Sequence, residues 1–275
     1  MRVGLVQLTS SDDPKENLLT VSNFVAEAAR GGADFVLTPE VTNCVSASRK
    51  RQSEVLATED QDVTLAMLQS EAARHGIWLL IGSLALKARD DARFVNRSFL
   101  IDPKGGIVAR YDKLHMFDVT INEVETYRES DGYRAGDRAV LTEVDGVPLG
   151  MSICYDLRFP YLYRGLSKAG AKILTVPSAF SPDTGGAHWE TLLRARAIET
   201  GSFVLAPAQC GAHPVSKGRQ RVTHGHSLAV DPWGQVLCDG GEAPGVSLVD
   251  LRLHEVDDVR RRIPSLAHER TYIKA

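Results

Sequence analysis

The sequence predicts an α/β fold built on mixed β-sheet. Stretches with strand periodicity alternate with stretches of helical spacing along almost the whole chain, and paired apolar runs joined by turn residues interrupt that alternation. The alternation calls for parallel crossovers, whereas the hairpins add antiparallel pairs. No linker, repeat or low-complexity tract divides the chain, so residues 1–275 read as a single domain.

Arg2–Leu8 reads as the first strand, with Val3, Leu5 and Gln7 on one face and Gly4, Val6 and Leu8 on the other. Asp13-Pro14-Lys15-Glu16 then opens a helix: an acid to cap, proline at the first position, and a glutamate three residues after the cap. Leu18, Val21, Val25 and Ala28/Ala29 keep helical spacing until Gly31-Gly32 stops it. A second strand, Asp34–Thr38, runs into Pro39-Glu40, which puts Glu40 just past a strand's C-terminal end. Val63–His75 reads as a helix ended by Gly76, and Ile77–Leu86 as a buried strand. Val95–Asp102 and Gly106–Asp112 flank the hairpin signal Pro103-Lys104-Gly105, with Lys113 directly after the second strand. Asp145-Gly146 joins Val140–Val144 to Val147–Ile153; Cys154 follows, ahead of a helical stretch near Pro160–Ala169. Ile173–Pro177, a helix at His188–Thr200, Phe203–Pro207, a hairpin around Asp231-Pro232-Trp233-Gly234 and a closing helix complete the order.

Composition narrows the function. Hydrophobic residues make up 43% and charged residues 24% of the chain, the mix of an ordinary globular protein. The formal charge is −3, from 35 acids against 32 bases, so no global field recruits nucleic acid. The basic triplets Arg49–Arg51 and Arg260–Arg262 read as solvated faces. Ile77–Leu86 is too short to span a membrane, and the N-terminal apolar run is too short for a signal peptide. Four scattered cysteines without a CxxC pair form no disulfide framework, so a soluble, cytoplasmic protein with free thiols is expected.

Three residues stand at the ends of strands: Glu40, Lys113 and Cys154. Sites in layered α/β folds gather beyond the carboxyl ends of strands. A cysteine between strand and helix is a nucleophile, a carboxylate beside it can shuttle its proton, and an ammonium can hold an oxyanion. Together these types suit acyl transfer from an amide to water. Cys44, Cys210 and Cys238 read as small buried apolar residues.

The residues around these three carry a resemblance. Pro39-Glu40, Tyr111-Asp112-Lys113-Leu114-His115 and Ile153-Cys154-Tyr155-Asp156-Leu157-Arg158-Phe159-Pro160 occur in the order of the nitrilase (carbon–nitrogen hydrolase) superfamily. Pro177-Ser178-Ala179-Phe180, Ala187-His188-Trp189-Glu190, Arg194–Glu199, Gly225-His226-Ser227 and Asp231–Gly234 continue it over nearly the whole chain. Thr38 departs from the pattern, because relatives usually carry an aliphatic residue there. The resemblance implies a four-layer α-β-β-α sandwich, homodimers or larger even homo-oligomers, and neither cofactor nor metal. It implies Glu40 as general base, Lys113 as oxyanion stabiliser, Cys154 as nucleophile and the Tyr155 backbone N–H as the second oxyanion donor. It also implies a second glutamate that positions the lysine. Glu129, in Glu129-Ser130, matches best, with Glu123 and Glu125 nearby as alternatives.

Family members cleave aliphatic amides, nitriles, N-carbamoyl amines and ω-amides. Thr184–Glu190, Leu192–Thr200 and Ala208-Gln209-Cys210-Gly211 resemble the Nit branch, closer to its Fhit-linked type. That type implies deaminated glutathione as substrate, released as 2-oxoglutarate and Cys-Gly; an ω-amidase would instead release ammonia from 2-oxoglutaramate. A 2-oxo-carboxylate needs a cation and donors, for which Arg158, Tyr155 and Thr184 are candidates, with Ser178, Ala179 and Phe180 in the pocket wall. Arg158 could equally brace the nucleophile turn through Asp156 or Glu199.

Rival readings stay open at this point. Cys154 could pair with His115 or His188 in a papain-like arrangement. His224 and His226 share a strand face but have no third metal ligand at a supporting spacing. No P-loop, GxGxxG or GxSxG sequence occurs. A dimeric binding scaffold with a vestigial site is the non-enzymatic alternative.

Overall fold

A computed structural model describes residues 1–120 and 126–273. The first half of the chain builds one sheet. Strands β1 (Arg2–Gln7), β2 (Phe35–Leu37) and β3 (Trp78–Lys87) run parallel, with Leu5 opposite Leu37 and Leu37 opposite Leu80. Strands β4 (Phe94–Ile101) and β5 (Ile107–Asp112) continue the sheet antiparallel. Helices α1 (Pro14–Arg30) and α3 (Val63–His75) make the crossovers, and a short helix α2 (Arg49–Val55) lies between them. Strands β6 (Asp118–Thr120) and β7 (Thr126–Arg128) pair as a separate ribbon, and β8 (Tyr133–Arg134) joins β4.

The second half builds the second sheet. Strands β9 (Val140–Val144) and β10 (Val147–Met151) form a hairpin. After helix α4 (Pro160–Lys168), β11 (Ile173–Thr175) pairs parallel to β10; after helix α5 (Pro182–Thr200), β12 (Phe203–Ala206) pairs parallel to β11. Strands β13 (Cys210–Ala212) and β14 (Val222–His224) form a ribbon, while β15 (Leu228–Val230) and β16 (Val236–Asp239) extend the sheet. Strand β17 (Gly245–Asp250) returns to the first sheet beside β1, and helix α6 (His254–Arg262) follows.

The period-two pattern of β1 explains the layering. Val3 and Leu5 point into a core shared with Leu149, Met151 and Ile173 of the second sheet. Val6 and Leu8 point the other way, against Val21 and Val25 of α1 and Leu65 and Leu68 of α3. On the far side, Leu162 and Leu166 of α4 and Trp189, Leu193 and Ala197 of α5 cover the second sheet. Two mixed sheets face each other with helices outside both, the α-β-β-α sandwich expected.

Two helices depart from the sequence reading. Helix α5 begins at Pro182 rather than His188, and Gly185-Gly186 in its first turns hid that start. Gly185 is required there, because a Cβ would lie 2.2 Å from the His224 ring. Helix α2 has no apolar stripe to announce it; Ser48 caps it by accepting from the Arg51 N–H at 3.2 Å.

Candidate active site

Glu40 lies three residues beyond β2, Lys113 follows β5, and Cys154 lies three residues beyond β10. The first two come from one sheet and the third from the other, so the site occupies the seam where both sheets end. The Lys113 ammonium donates to Glu40 Oε1 at 2.9 Å and to both oxygens of Glu129, at 3.0 and 2.9 Å. Glu129 sits in a short 3₁₀ turn after β7, and its Oε2 also accepts the Phe117 N–H at 2.6 Å. Glu123 and Glu125 lie outside the described residues.

The backbone is strained on both sides of this cluster. Val41 and Cys154 adopt φ of 47° and 49°, a region that β-branched and other L-residues rarely enter. Val41 is held by its N–H donating to Ser83 Oγ at 2.8 Å, and Cys154 by its N–H donating to the Pro177 carbonyl at 3.0 Å. Gly82 makes the approach possible, since a Cβ there would stand 1.9 Å from the Thr38 carbonyl and 2.5 Å from Pro177. The buried Thr38 hydroxyl accepts the Gly82 N–H at 3.1 Å and donates to Thr42 Oγ1 at 2.8 Å, because Thr42 spends its own proton on the Pro39 carbonyl. The residue that departs from its relatives is thus fully bonded where an aliphatic side chain would make no bond.

Sequence reasoning passed over three groups here. Asn96 donates from Nδ2 to Glu40 Oε1 at 2.9 Å. Gln209 donates to the Glu40 carbonyl at 3.1 Å and bridges back to Ser10. Asp156 accepts from the Ile153 N–H, the His115 N–H and the Tyr111 hydroxyl at 2.8, 3.0 and 2.6 Å. Asn96 lies in unremarkable strand sequence, and the run Ala208–Gly211 drew notice without tying Gln209 to Glu40, so only the fold shows these contacts.

Electrostatics set the resting protonation. Burial alone would raise the Glu40 carboxyl, but the Lys113 ammonium, with help from Cys154 and Arg221, outweighs it and holds Glu40 below its ordinary 4.5. Burial would likewise lower Lys113, yet the charges of Glu129 and Glu40 push it well above 10.5. The Cys154 thiol is raised, first by burial and then by the Glu40 charge. The resting site therefore holds a neutral thiol beside an ionised carboxylate and an ammonium.

These groups line a cavity of about 300 Å³. Tyr155, Ala179, Phe180 and Thr184 line it too, as expected. Ser178 and Arg158 do not. Ser178 is fully buried and its hydroxyl donates to the Val176 carbonyl at 2.9 Å. Arg158 lies behind the wall, its guanidinium 5.9 Å from the Tyr155 ring centroid, 5.7 Å from that of Phe180 and 3.3 Å from His188 Nδ1. Neither Asp156 nor Glu199 pairs with it; Glu199 pairs with Arg196. His115 and His188 are also absent from the lining, and the His115 ring meets Asp156, so no papain-like pair forms. The cavity instead recruits Arg49, from a triplet read as a solvated face, and Cys44, whose thiol burial pushes up to about 12. His224 and His226 stack with ring centroids 4.7 Å apart on one face, and His226 pairs with Asp239. Among the described residues, no group of three or more His, Cys, Asp or Glu side chains is placed to hold a metal.

The family model for carbon-nitrogen hydrolases matches residues 2–261. The chain belongs to the carbon–nitrogen hydrolase family. It is accordingly a hydrolase of non-peptide carbon–nitrogen bonds. Among its relatives, a protein of Synechocystis sp. named deaminated glutathione amidase is 40% identical over 96% of each chain. One of the same name from Mus musculus is 40% identical, over 98% of this chain and 83% of its own. In solved structures, the Caenorhabditis elegans NitFhit protein superposes with a TM-score of 0.90 at 36% identity. That match covers 98% of this carbon–nitrogen hydrolase but 65% of the NitFhit chain.

Proposed function

We propose that this hydrolase cleaves the amide of deaminated glutathione, using Cys154 as nucleophile, Glu40 as acid–base and Lys113 as oxyanion stabiliser. The observation that carries the reading is the Lys113 ammonium bound to Glu40 and Glu129 beside a cysteine held at positive φ. The substrate is taken from the relatives named deaminated glutathione amidase.

Each group has one task. Glu40, kept ionised by Lys113, takes the Cys154 proton as sulfur attacks the amide carbon, so the raised thiol is deprotonated only when substrate is in place. The carbonyl oxygen becomes an oxyanion, stabilised by the Lys113 ammonium and the Tyr155 N–H. Glu40 returns the proton to the amide nitrogen, the carbon–nitrogen bond breaks, and Cys-Gly leaves a thioester on Cys154. Water, deprotonated by Glu40, attacks that thioester and releases 2-oxoglutarate and the thiol. Glu129 positions the ammonium through both oxygens. Tyr155, Ala179, Phe180 and Thr184 supply the cavity wall for the acyl chain.

The test follows 2-oxoglutarate release from deaminated glutathione and from 2-oxoglutaramate, in wild type and Cys154→Ala. A Cys154-dependent preference of more than about tenfold in kcat/KM for deaminated glutathione, about 1.4 kcal/mol, is expected. The reverse preference would make the chain an ω-amidase, and turnover of neither would discard the substrate assignment.

We also infer an even-numbered homo-oligomer in the cytoplasm. Exposed Tyr161 on α4 and Ile198 on α5 offer apolar surface for self-association, and four free cysteines fit a reducing compartment. Sedimentation of the purified protein as a monomer would exclude the assembly.

A further inference from the structure

Among the described residues, cations outnumber acids in the cavity lining, on a chain whose net charge is −3. Its described lining carries Lys113 and four arginines, Arg49, Arg128, Arg219 and Arg221, from three separate segments. The only acids in that described lining are Glu40 and Glu129, and both are bound to Lys113. Such a field favours a substrate with more than one negative group.

Arg221 is singled out by how it is held. It stands one residue before β14, half-buried, and donates from Nη2 to the Ala179 carbonyl at 3.3 Å. Among the described residues its guanidinium meets no carboxylate within ion-pair distance. Its anchor is a neutral carbonyl, and a guanidinium fork suits a carboxylate. Ala179 ties it to the reacting centre, because Ala179 lines the same cavity as Cys154. Arg221 also acts on Glu40, helping to lower its carboxyl. Glu40 is the group that hands its proton to the departing amine, and Arg221 lines the same cavity.

We propose that Arg221 binds a carboxylate carried by the leaving amine, and so selects peptide-like amides over primary amides. This deepens the amidase reading and rests on it. In deaminated glutathione the matching group is the terminal glycine carboxylate; 2-oxoglutaramate, which loses ammonia, has no counterpart.

The experiment compares kcat/KM for three amides: deaminated glutathione, the same compound with its glycine carboxylate converted to a carboxamide, and 2-oxoglutaramate. Wild type should prefer the carboxylate over the carboxamide form by about tenfold to a hundredfold, chiefly through KM. In Arg221→Gln the two forms should become nearly equal, and Arg221→Lys should recover part of the discrimination. If wild type turns over deaminated glutathione but treats both forms alike, or if Arg221→Gln keeps the preference, the arginine assignment is wrong and the amidase reading stands. Should wild type cleave none of the three, both fall. If Arg221→Gln misfolds, Arg221→Lys carries the test: discrimination as full as wild type's would overturn the assignment.

Discussion

His213 makes the stability of this protein pH-dependent above the carboxylate range. It follows β13, and its ring is buried between two partners: Nδ1 is 2.8 Å from the Ser10 carbonyl and Nε2 is 2.7 Å from Thr223 Oγ1. A carbonyl can only accept, so a proton sits on Nδ1; in the neutral ring Nε2 accepts the threonine hydroxyl. Burial, helped by the Arg221 charge against one hydrogen bond, lowers it from 6.5 to about 4. The folded ring thus binds a proton less readily than the unfolded one. Stability from this group is complete above 6.5 and drains away as pH falls between 6.5 and about 4. Taking the protein from about pH 8 to about pH 5 should cost about 2 kcal/mol from this ring alone, a sizeable share of a typical folding free energy. Urea unfolding followed by circular dichroism at both pH values, on wild type and His213→Asn, isolates the effect. The variant should be weaker at the higher pH by about 1–2 kcal/mol, since the Thr223 hydroxyl loses its acceptor, yet lose about 2 kcal/mol less on acidification. Equal acid losses in the two proteins, with unchanged m-values, would refute the assignment of a buried neutral imidazole.

Glu40→Gln and Lys113→Met should each lower kcat by about 10² or more, measured as 2-oxoglutarate release, while the circular dichroism spectrum stays native. Because Lys113 holds Glu40 below 4.5, the acid limb of kcat/KM should fall below that value; a limb near 6 would assign the base to a histidine. Thr38→Val should destabilise by about 1–3 kcal/mol in chemical denaturation, since the buried Gly82 N–H loses its acceptor; a gain in stability would show the hydroxyl is not needed. Cys44→Ala, despite lining the cavity, should leave a Cys154-dependent enzyme, and complete loss of turnover would require Cys44 in the chemistry.

Much of the layered architecture was legible because it follows from short-range rules. The two faces of β1, the Asp13-Pro14 cap of α1 and the Asp145-Gly146 hairpin are all set by neighbouring residues, and each stands where periodicity and turn chemistry place it. The strand ends were legible too, but Glu40, Lys113 and Cys154 could be picked out from sequence only because the runs around them resemble the carbon–nitrogen hydrolase pattern. Legibility stopped where a side chain's direction depends on a distant segment. Arg158 sits four residues from Cys154 and was a natural choice for a substrate cation, but Tyr155 and Phe180 hold it outside the cavity. Arg221 is 67 positions from Cys154 and reaches the cavity only because the β13–β14 ribbon folds back over Ala179. Ser178 shows the same limit on a smaller scale. It adjoins two wall residues, yet its hydroxyl turns to the Val176 carbonyl.

That dependence on distant segments also says what must hold the site together. Glu40 and Lys113 belong to one sheet and Cys154 to the other, so the attack distance is set by the gap between sheets rather than by any local turn. Apolar packing across that gap is non-directional and cannot by itself fix the register of three side chains. Asp156 supplies the missing direction. It is fully buried, lies two residues after Cys154, and accepts from Ile153 on its own turn. It also takes hydrogen bonds from Tyr111 and His115, the residues that flank Lys113 on the other sheet. The segment bearing the ammonium is therefore fastened to the turn bearing the thiol through one carboxylate, two residues from each. Gln209 does the corresponding work for Glu40, gripping its carbonyl while both ends of its amide engage Ser10. With each partner pinned from the opposite side, the strained conformations at Val41 and Cys154 can persist, because relaxing either would break hydrogen bonds buried in the seam.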